Sequence, residues 1–276
     1  MPISVMVLVL VAALFHALWN GLIKGGKDPL IESMLLCVAW VAICVILIPL
    51  LPFPQSKSWP YITAAVVIHV CYFLLLSKSY SMGDFGAVYP IVRGLPPLIV
   101  MLVSVLFINE PLSLHGALGA VLIGAGVLVL EIGNKCRSMK LILFAFATAL
   151  MIATYTVVDG LGARLSGHST SFFVWFTLIQ SILYIGIVFN RRGSKECRTH
   201  IRKKWKLGLL GGVMSFSAYA VVLWAMTKAP IPYVSALRET SVLFASVVAI
   251  VFLGEPIRKS RLVSAAIIFA GILILK

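Results

Sequence analysis

Two segments of this sequence repeat each other at a spacing of 145 residues, and each carries an arginine inside an apolar run long enough to cross a membrane. The first reads Tyr89-Pro90-Ile91-Val92-Arg93-Gly94-Leu95-Pro96-Pro97 and continues apolar to Asn109-Glu110-Pro111. The second reads Val234-Ser235-Ala236-Leu237-Arg238-Glu239-Thr240-Ser241 and continues apolar to Gly254-Glu255-Pro256. Arg93 with Arg238, Glu110 with Glu255, and Pro111 with Pro256 all stand 145 apart. Beyond the Glu-Pro pairs the same spacing aligns Ala120 with Ala265, Ile123 with Ile268, Gly126 with Gly271, Leu128 with Leu273 and Leu130 with Leu275. The chain is therefore an internal duplication, with one repeat over 1–133 and another over 139–276.

Apolar runs of this length belong in lipid, and the composition agrees. Hydrophobic residues make up 61% of the 276 and charged residues 12%, against roughly 45–50% and about 25% in soluble domains. The net charge of +14 comes from short loops between apolar runs, which is the positive-inside bias and not a nucleic-acid patch. No nucleic-acid partner is expected. The five cysteines are scattered, without a C-x-x-C pair, so neither a disulfide framework nor a metal site is indicated. The first apolar run has neither a basic leader nor a small-residue cleavage site, so it reads as a span and not a signal peptide.

At about 20 residues per span, the chain predicts about ten transmembrane helices: 3–23, 31–52, 60–80, 86–108, 114–132, 141–160, 170–189, 207–227, 232–253 and 261–275. The fold class expected is an all-α membrane protein. Five spans per half is an odd number, so the second half enters the membrane the other way up. That makes two inverted five-helix repeats, an arrangement that encloses a polar site near the midplane in secondary transporters. Of the 23 lysines and arginines, seventeen lie in one set of loops, four on the other side and two inside spans. The first set marks the cytoplasmic face, which puts both termini outside.

The paired Glu-Pro span ends and the glycine-bearing closing spans resemble the EamA family of the drug/metabolite transporter superfamily, over essentially the whole chain. The opening His16-Ala17-Leu18-Trp19-Asn20 is similar to a subset of that family, as are the stretches around Arg93 and Arg238. The resemblance implies a ten-helix transporter of the cell membrane, with a central cavity lined by spans 1, 3, 4, 6, 8 and 9. It implies substrates that are small metabolites such as amino acids or related polar compounds, often exported. Family members are usually drawn with both termini in the cytoplasm, and the charge count here departs from that.

The polar groups inside the spans are the candidate substrate-binding residues. Arg93 and Arg238 each lie roughly 10 Å into a helix at 1.5 Å per residue. A membrane arginine must face the bundle interior or a wet cavity and find partners. Glu239 is an immediate partner for Arg238, while Arg93 has only Gly94 at the corresponding position. The local charge sums to +1, which an anionic substrate group would balance. Pro96 and Pro97 free the carbonyls of Val92 and Arg93. His16 and Asn20 share one face of span 1 with Trp19 beside them, and Tyr155 and Thr156 of span 6 are the expected partners of Trp19 and Asn20. His16 is a candidate proton site, but a satisfied core histidine is the favoured reading from sequence. Tyr89, Tyr72, Tyr219 and Trp224 are further candidates to wall the site. Glu110 and Glu255 are expected to favour the start of the helix that follows each. Asp159 lies near the end of span 6 with no partner evident.

These residues point to a secondary transporter, an exporter or exchanger, for a small polar anion-bearing metabolite, working by alternating access and open to proton coupling. A flippase or scavenger for a lipid-linked anionic headgroup would use the same arginines. No nucleophile–base pair, metal cluster or P-loop is present in the sequence, so catalysis, a cofactor and direct ATP coupling are not expected. The protein is expected to work as a monomer or as a homodimer through the small residues Gly116, Gly119, Ala120 and Gly124.

Overall fold

A computed structural model describes residues 1–23, 28–81, 85–129, 139–253 and 259–275; the side chains of 21–23, 79–81, 85–90, 248–249 and 251–253 lie outside this description. The described residues form eleven α-helices: α1 (Ile3–Ile23), α2 (Pro29–Leu47), α3 (Trp59–Ser81), α4 (Phe85–Val103), α5 (Leu114–Val129), α6 (Met139–Leu165), α7 (Ser169–Arg192), α8 (Ser194–Met226), α9 (Ile231–Arg238), α10 (Ser241–Leu253) and α11 (Lys259–Leu275). No strand occurs among them. Seven of the helical segments are long and apolar enough to cross a membrane, and α5 is a shorter apolar helix. The chain is an all-helical, multi-pass membrane protein.

Most of the long helices turn a large apolar face outward, whereas α9 is buried along its whole length. On α1, Ile3, Val7, Leu8, Val11 and Phe15 are exposed while Val5, Val9, Ala12, Ala13 and Ala17 are buried. The two sets recur at three- and four-residue steps, so one face of the helix meets lipid and the other meets protein. The same outward apolar surface continues on α4, α5, α6 and α11, as expected where the solvent is hydrocarbon.

Among the helices that differ from the expected spans, three bear on the site. The ninth is not one helix over 232–253: α9 ends at Arg238, Glu239 and Thr240 form a turn, and α10 begins at Ser241. Glu239, Thr240, Val242 and Leu243 donate to the carbonyls three residues back instead of four. Thr240 Oγ1 also takes the Leu237 carbonyl at 2.7 Å. A threonine hydroxyl competing for a helix carbonyl is a recognised way to loosen a helix without proline or glycine. The eighth helix starts early, at Ser194, because a basic amphipathic segment joins it through a bend at Lys204 (φ −119°, ψ 15°). The sixth runs on to Leu165.

The packing pairs α3 with α6, α1 with α8, α4 with α6, α1 with α9 and α10, α2 with α7, and α5 with α11. The α5–α11 seam is the closest. A Cβ built on Gly119 would fall 2.7 Å from the Gly271 carbonyl, and one on Gly271 would fall 2.8 Å from that of Gly119. Ser264 Oγ donates to the Gly126 carbonyl at 2.6 Å. The small residues considered for dimerisation are thus used within the chain: Gly116 accommodates the Tyr233 ring, Gly119 accommodates α11, and Gly124 accommodates Leu98 of α4.

Candidate functional site

The turn between α9 and α10 places Glu239 between the two membrane arginines. Arg238 Nε and Nη2 donate to Glu239 Oε1, both at 3.3 Å. Arg93, arriving from α4, sets its Nε 3.3 Å from Glu239 Oε2 and donates from Nη2 to Ser241 Oγ at 2.8 Å. One carboxylate therefore holds a guanidinium on each oxygen. Arg93 and Arg238 retain 7% and 4% of their exposure, and Glu239 none. Sequence reasoning paired Glu239 with Arg238 alone; the fold gives it to Arg93 as well.

The break in the helix allows this arrangement. Glu239 lies in the turn just before the serine-started half-helix α10. Pro96 and Pro97 of α4 stand 145 residues before Ser241 and Val242. The two repeats thus disturb the helix at the same place by different means, proline in one and the Glu239–Thr240 turn in the other.

Tyr155 of α6 lies beneath Arg238, with the guanidinium carbon 5.8 Å from the ring centroid. This is within cation–π range. His16 lies three residues before Trp19 on α1. Its ring meets that of Trp19 edge-on at 5.2 Å. The expected partnership of Trp19 and Asn20 with Tyr155 and Thr156 is not made. Asn20 donates to the His16 carbonyl at 2.7 Å, and Thr156 donates to the Ile152 carbonyl at 2.6 Å. Both satisfy themselves within their own helices, one turn back. The buried Trp19 Nε1 has no hydrogen-bond partner among the described residues. Trp224 packs, half-buried, against the main apolar core. Tyr89 falls among the residues whose side chains lie outside the description.

Beyond Tyr155 lies a second polar group. The His69 ring of α3 stacks on Tyr155 at 4.3 Å and on Phe176 at 5.1 Å. His69 Nε2 sits 2.8 Å from Asp159 Oδ2, and Tyr219 of α8 donates to the same oxygen at 2.6 Å. Asp159 is fully buried. Asp159 has no partner evident in the sequence, and no motif there marks His69. The one signal available was that each is a titratable residue inside an apolar span.

Glu110 does not serve the helix that follows it. Its oxygens accept the Ile231 N–H at 3.1 and 3.2 Å, so it caps α9 of the other half, and Arg164 of α6 pairs with it at 2.5 Å. Arg164 also donates to the carbonyls of Met226 and Ala229 at 2.7 and 2.9 Å, closing the end of α8. The corresponding Glu255 lies outside the described residues. Two open surface cavities, of about 460 and 590 Å³, lie away from the arginines: one beside Ser113, Gly116 and Tyr233, the other beside Arg192, Lys195 and His200.

The comparisons fit this fold. The EamA-like transporter family matches residues 3–132 and again 139–276. An uncharacterized protein of Methanocaldococcus jannaschii is 26% identical over 136 residues, covering 48% of this chain and 98% of the archaeal protein. A protein of known crystal structure superposes with a TM-score of 0.75 at 16% identity, over 98% of this chain and 94% of the other, and so shares its fold. With both halves matched and the architecture shared, the chain belongs to the EamA-like transporter family.

Proposed function

We propose that this chain is a secondary transporter of ten spans, built as two inverted five-helix repeats, that moves a small polar metabolite by alternating access and holds its anionic group at Arg93 and Arg238. The observation that carries this reading is the sharing of Glu239 by two buried guanidiniums. Two cations held by one anion leave a local charge of +1 at a broken helix. A buried surplus charge is costly unless an anion offsets it; Asp159 does so from the far side of Tyr155 and His69, and an anionic substrate group would do so in direct contact with the guanidiniums. The closed surroundings of the cluster suit an occluded state.

The symmetry of the packing supports the two repeats. Shifting by 145 residues turns the Gly119–Gly271 contact into the Ser264–Gly126 contact, and the Ile123–Gly271 contact into Ile268–Gly126. Exchange of the halves likewise turns α3 on α6 into α1 on α8, and α4 on α6 into α1 on α9 and α10. Counting α9 with α10 as one span, and α8 from its bend, gives ten. The lysine and arginine bias places both termini outside the cytoplasm.

The test is thermal unfolding of the purified protein with sodium acetate, lactate and L-glutamate. A ligand that binds the folded state stabilises it in proportion to its concentration over Kd. At least one carboxylate should raise the unfolding temperature in the wild type and fail to do so in Arg93→Gln. No stabilisation by carboxylates, or stabilisation indifferent to Arg93, would overturn the reading. Stabilisation by anionic lipid alone would favour a flippase.

A further inference from the structure

We infer that His69 and Asp159 form a proton site that takes up one proton for each anionic group bound at the arginines. The inference rests on the substrate reading above and adds the coupling ion and its stoichiometry.

The first ground is charge balance. Of the charged side chains buried among the described residues, Arg93, Arg238, Glu239 and Asp159 belong to the central bundle. Two cations and two anions sum to zero when His69 is neutral. An arriving carboxylate would leave this region at −1, and one proton on the His69–Asp159 pair would restore neutrality. Low-dielectric surroundings make that compensation far more valuable than it would be in water.

The second ground is geometry. Asp159 Oδ2 is held by His69 Nε2 and Tyr219 Oη at 2.8 and 2.6 Å, while the buried Oδ1 has no hydrogen-bond partner among the described residues. Two partners on one oxygen support an ionised carboxylate, and the empty oxygen is where a proton would be received. No covalent bond other than the new O–H forms. The groups that face the pair are Tyr72 of α3, Tyr155 of α6, Tyr219 of α8 and the Phe176 ring of α7. Past Tyr155 lie Arg238 of α9, Arg93 of α4 and Glu239. Tyr155 stacks on His69 and also lies under Arg238, so one ring separates the proton site from the anion site.

The third ground is asymmetry. The arginines occur once in each repeat. At the same 145-residue spacing His69 corresponds to Met214 and Tyr219 to Leu74, and α1, the opening helix of the other repeat, has no acidic residue. The polar trio thus departs from the duplicated packing and sits in one place only. An intramembrane acid retained without a symmetry mate is costly and calls for a use.

The experiment measures carboxylate stabilisation of the full-length protein from about pH 6 to 8, a window in which acetate, lactate and glutamate carboxylates stay ionised. The slope then belongs to the protein. Apparent affinity in the wild type should tighten about tenfold per unit fall in pH across the uptake range, the signature of one proton per anion. Asp159→Asn should bind tightly with no slope. His16→Gln should keep the slope. Arg93-dependent stabilisation that is flat with pH in the wild type overturns the proton site and leaves the arginine site standing. A slope kept in Asp159→Asn and lost in His16→Gln assigns the proton to His16 and overturns it too. Absence of any carboxylate stabilisation removes the arginine site and this inference with it.

Discussion

Arg93 and Arg238, 145 residues apart, hold opposite oxygens of the same carboxylate, that of Glu239. Removing an arginine therefore differs from removing the acid. Arg93→Gln leaves Glu239 with Arg238, so the fold should survive. The loss should appear as a ten- to hundred-fold weaker carboxylate affinity, since a charge-assisted hydrogen bond is worth about 1.5–3 kcal/mol. Arg93→Lys keeps the charge but not the fork that reaches both Glu239 and Ser241, and should fall between. Glu239→Gln leaves two buried guanidiniums facing each other and should cost about 3–5 kcal/mol in stability. Size-exclusion profiles and thermal unfolding in detergent check this. An unchanged unfolding temperature for Glu239→Gln would mean that the shared carboxylate is not structural.

A double variant separates structure from binding at Arg238. Arg238→Gln with Glu239→Gln removes the local pair as a unit and leaves Arg93 with Ser241. Carboxylate binding should stay at least tenfold weak, because only one guanidinium remains. Wild-type transport in that variant would make Arg238 a structural partner of Glu239 and nothing more.

The sequence carried the parts of the fold that depend on local pattern or on the duplication. The first helix has the expected bounds, Ile3–Ile23. The arginines, the Glu-Pro ends and the glycine seams of α5 and α11 were visible because each appears twice. Non-local contacts were not visible. The break at Glu239–Thr240 contains neither glycine nor proline, and it holds through a threonine hydroxyl and a guanidinium 146 residues away. His69 and Asp159 are 90 residues apart with no motif to join them. Glu110 looked like a cap for its neighbour, but its partner amide lies 121 residues on. A periodicity reports which face of a helix is buried, not which residue it meets there.

The α5–α11 seam gives a stability prediction free of any functional reading. Gly119→Val would drive side-chain carbons into the Gly271 carbonyl and the Leu275 backbone amide, both within 2.8 Å of a Cβ. Backbone cannot swing aside as a flexible side chain can, so the cost should be about 1–3 kcal/mol or more. Gly186→Ala on α7 is the control, with nothing within 4 Å of the new carbon. It should be neutral or gain up to about 1 kcal/mol from helix propensity. Equal unfolding temperatures for the two variants would contradict the close seam.

Asp28 predicts a pH effect at the loop end of α2. Partial burial pushes its carboxyl up, but hydrogen bonds from Arg192 and from the Leu30 and Ile31 amides outweigh this and hold it below its ordinary range. A carboxyl lowered in the folded state stabilises the protein above its unfolded pKa of about 4, and that contribution fades as pH falls through the lower folded value. Both side chains are partly exposed, 28% and 41%, so the ion pair itself adds little. Asparagine caps a helix about as well as aspartate, so Asp28→Asn removes the charge and keeps the cap. Asp28→Asn should therefore lower the unfolding temperature slightly at pH 7, with the difference shrinking on acidification. A difference that grows towards low pH would reverse the assignment.

Glu110 ties the two halves together at one end of the bundle. It caps α9 through Ile231, while Arg164 clamps the Glu110 carboxylate to the end of α8. Arg238 closes the other end of α9, seven residues on, roughly 10 Å along the helix. Any rocking of α9 that carries Arg238 with it must first release Glu110 or move with it. Glu110→Ala removes the cap and leaves Arg164 without its carboxylate, at an expected cost of about 1–3 kcal/mol. Glu110→Gln retains an acceptor for Ile231 and should cost less. The two roles of this contact separate by thiol labelling of Ser235→Cys, a fully buried position on α9, in a background whose native cysteines are replaced. With Glu110 intact the new thiol should resist a membrane-impermeant reagent. With Glu110→Ala it should label several-fold faster, because the end of α9 is no longer held. If both proteins label at the same slow rate while the unfolding temperature drops, the contact stabilises the fold and does not gate access to the arginines.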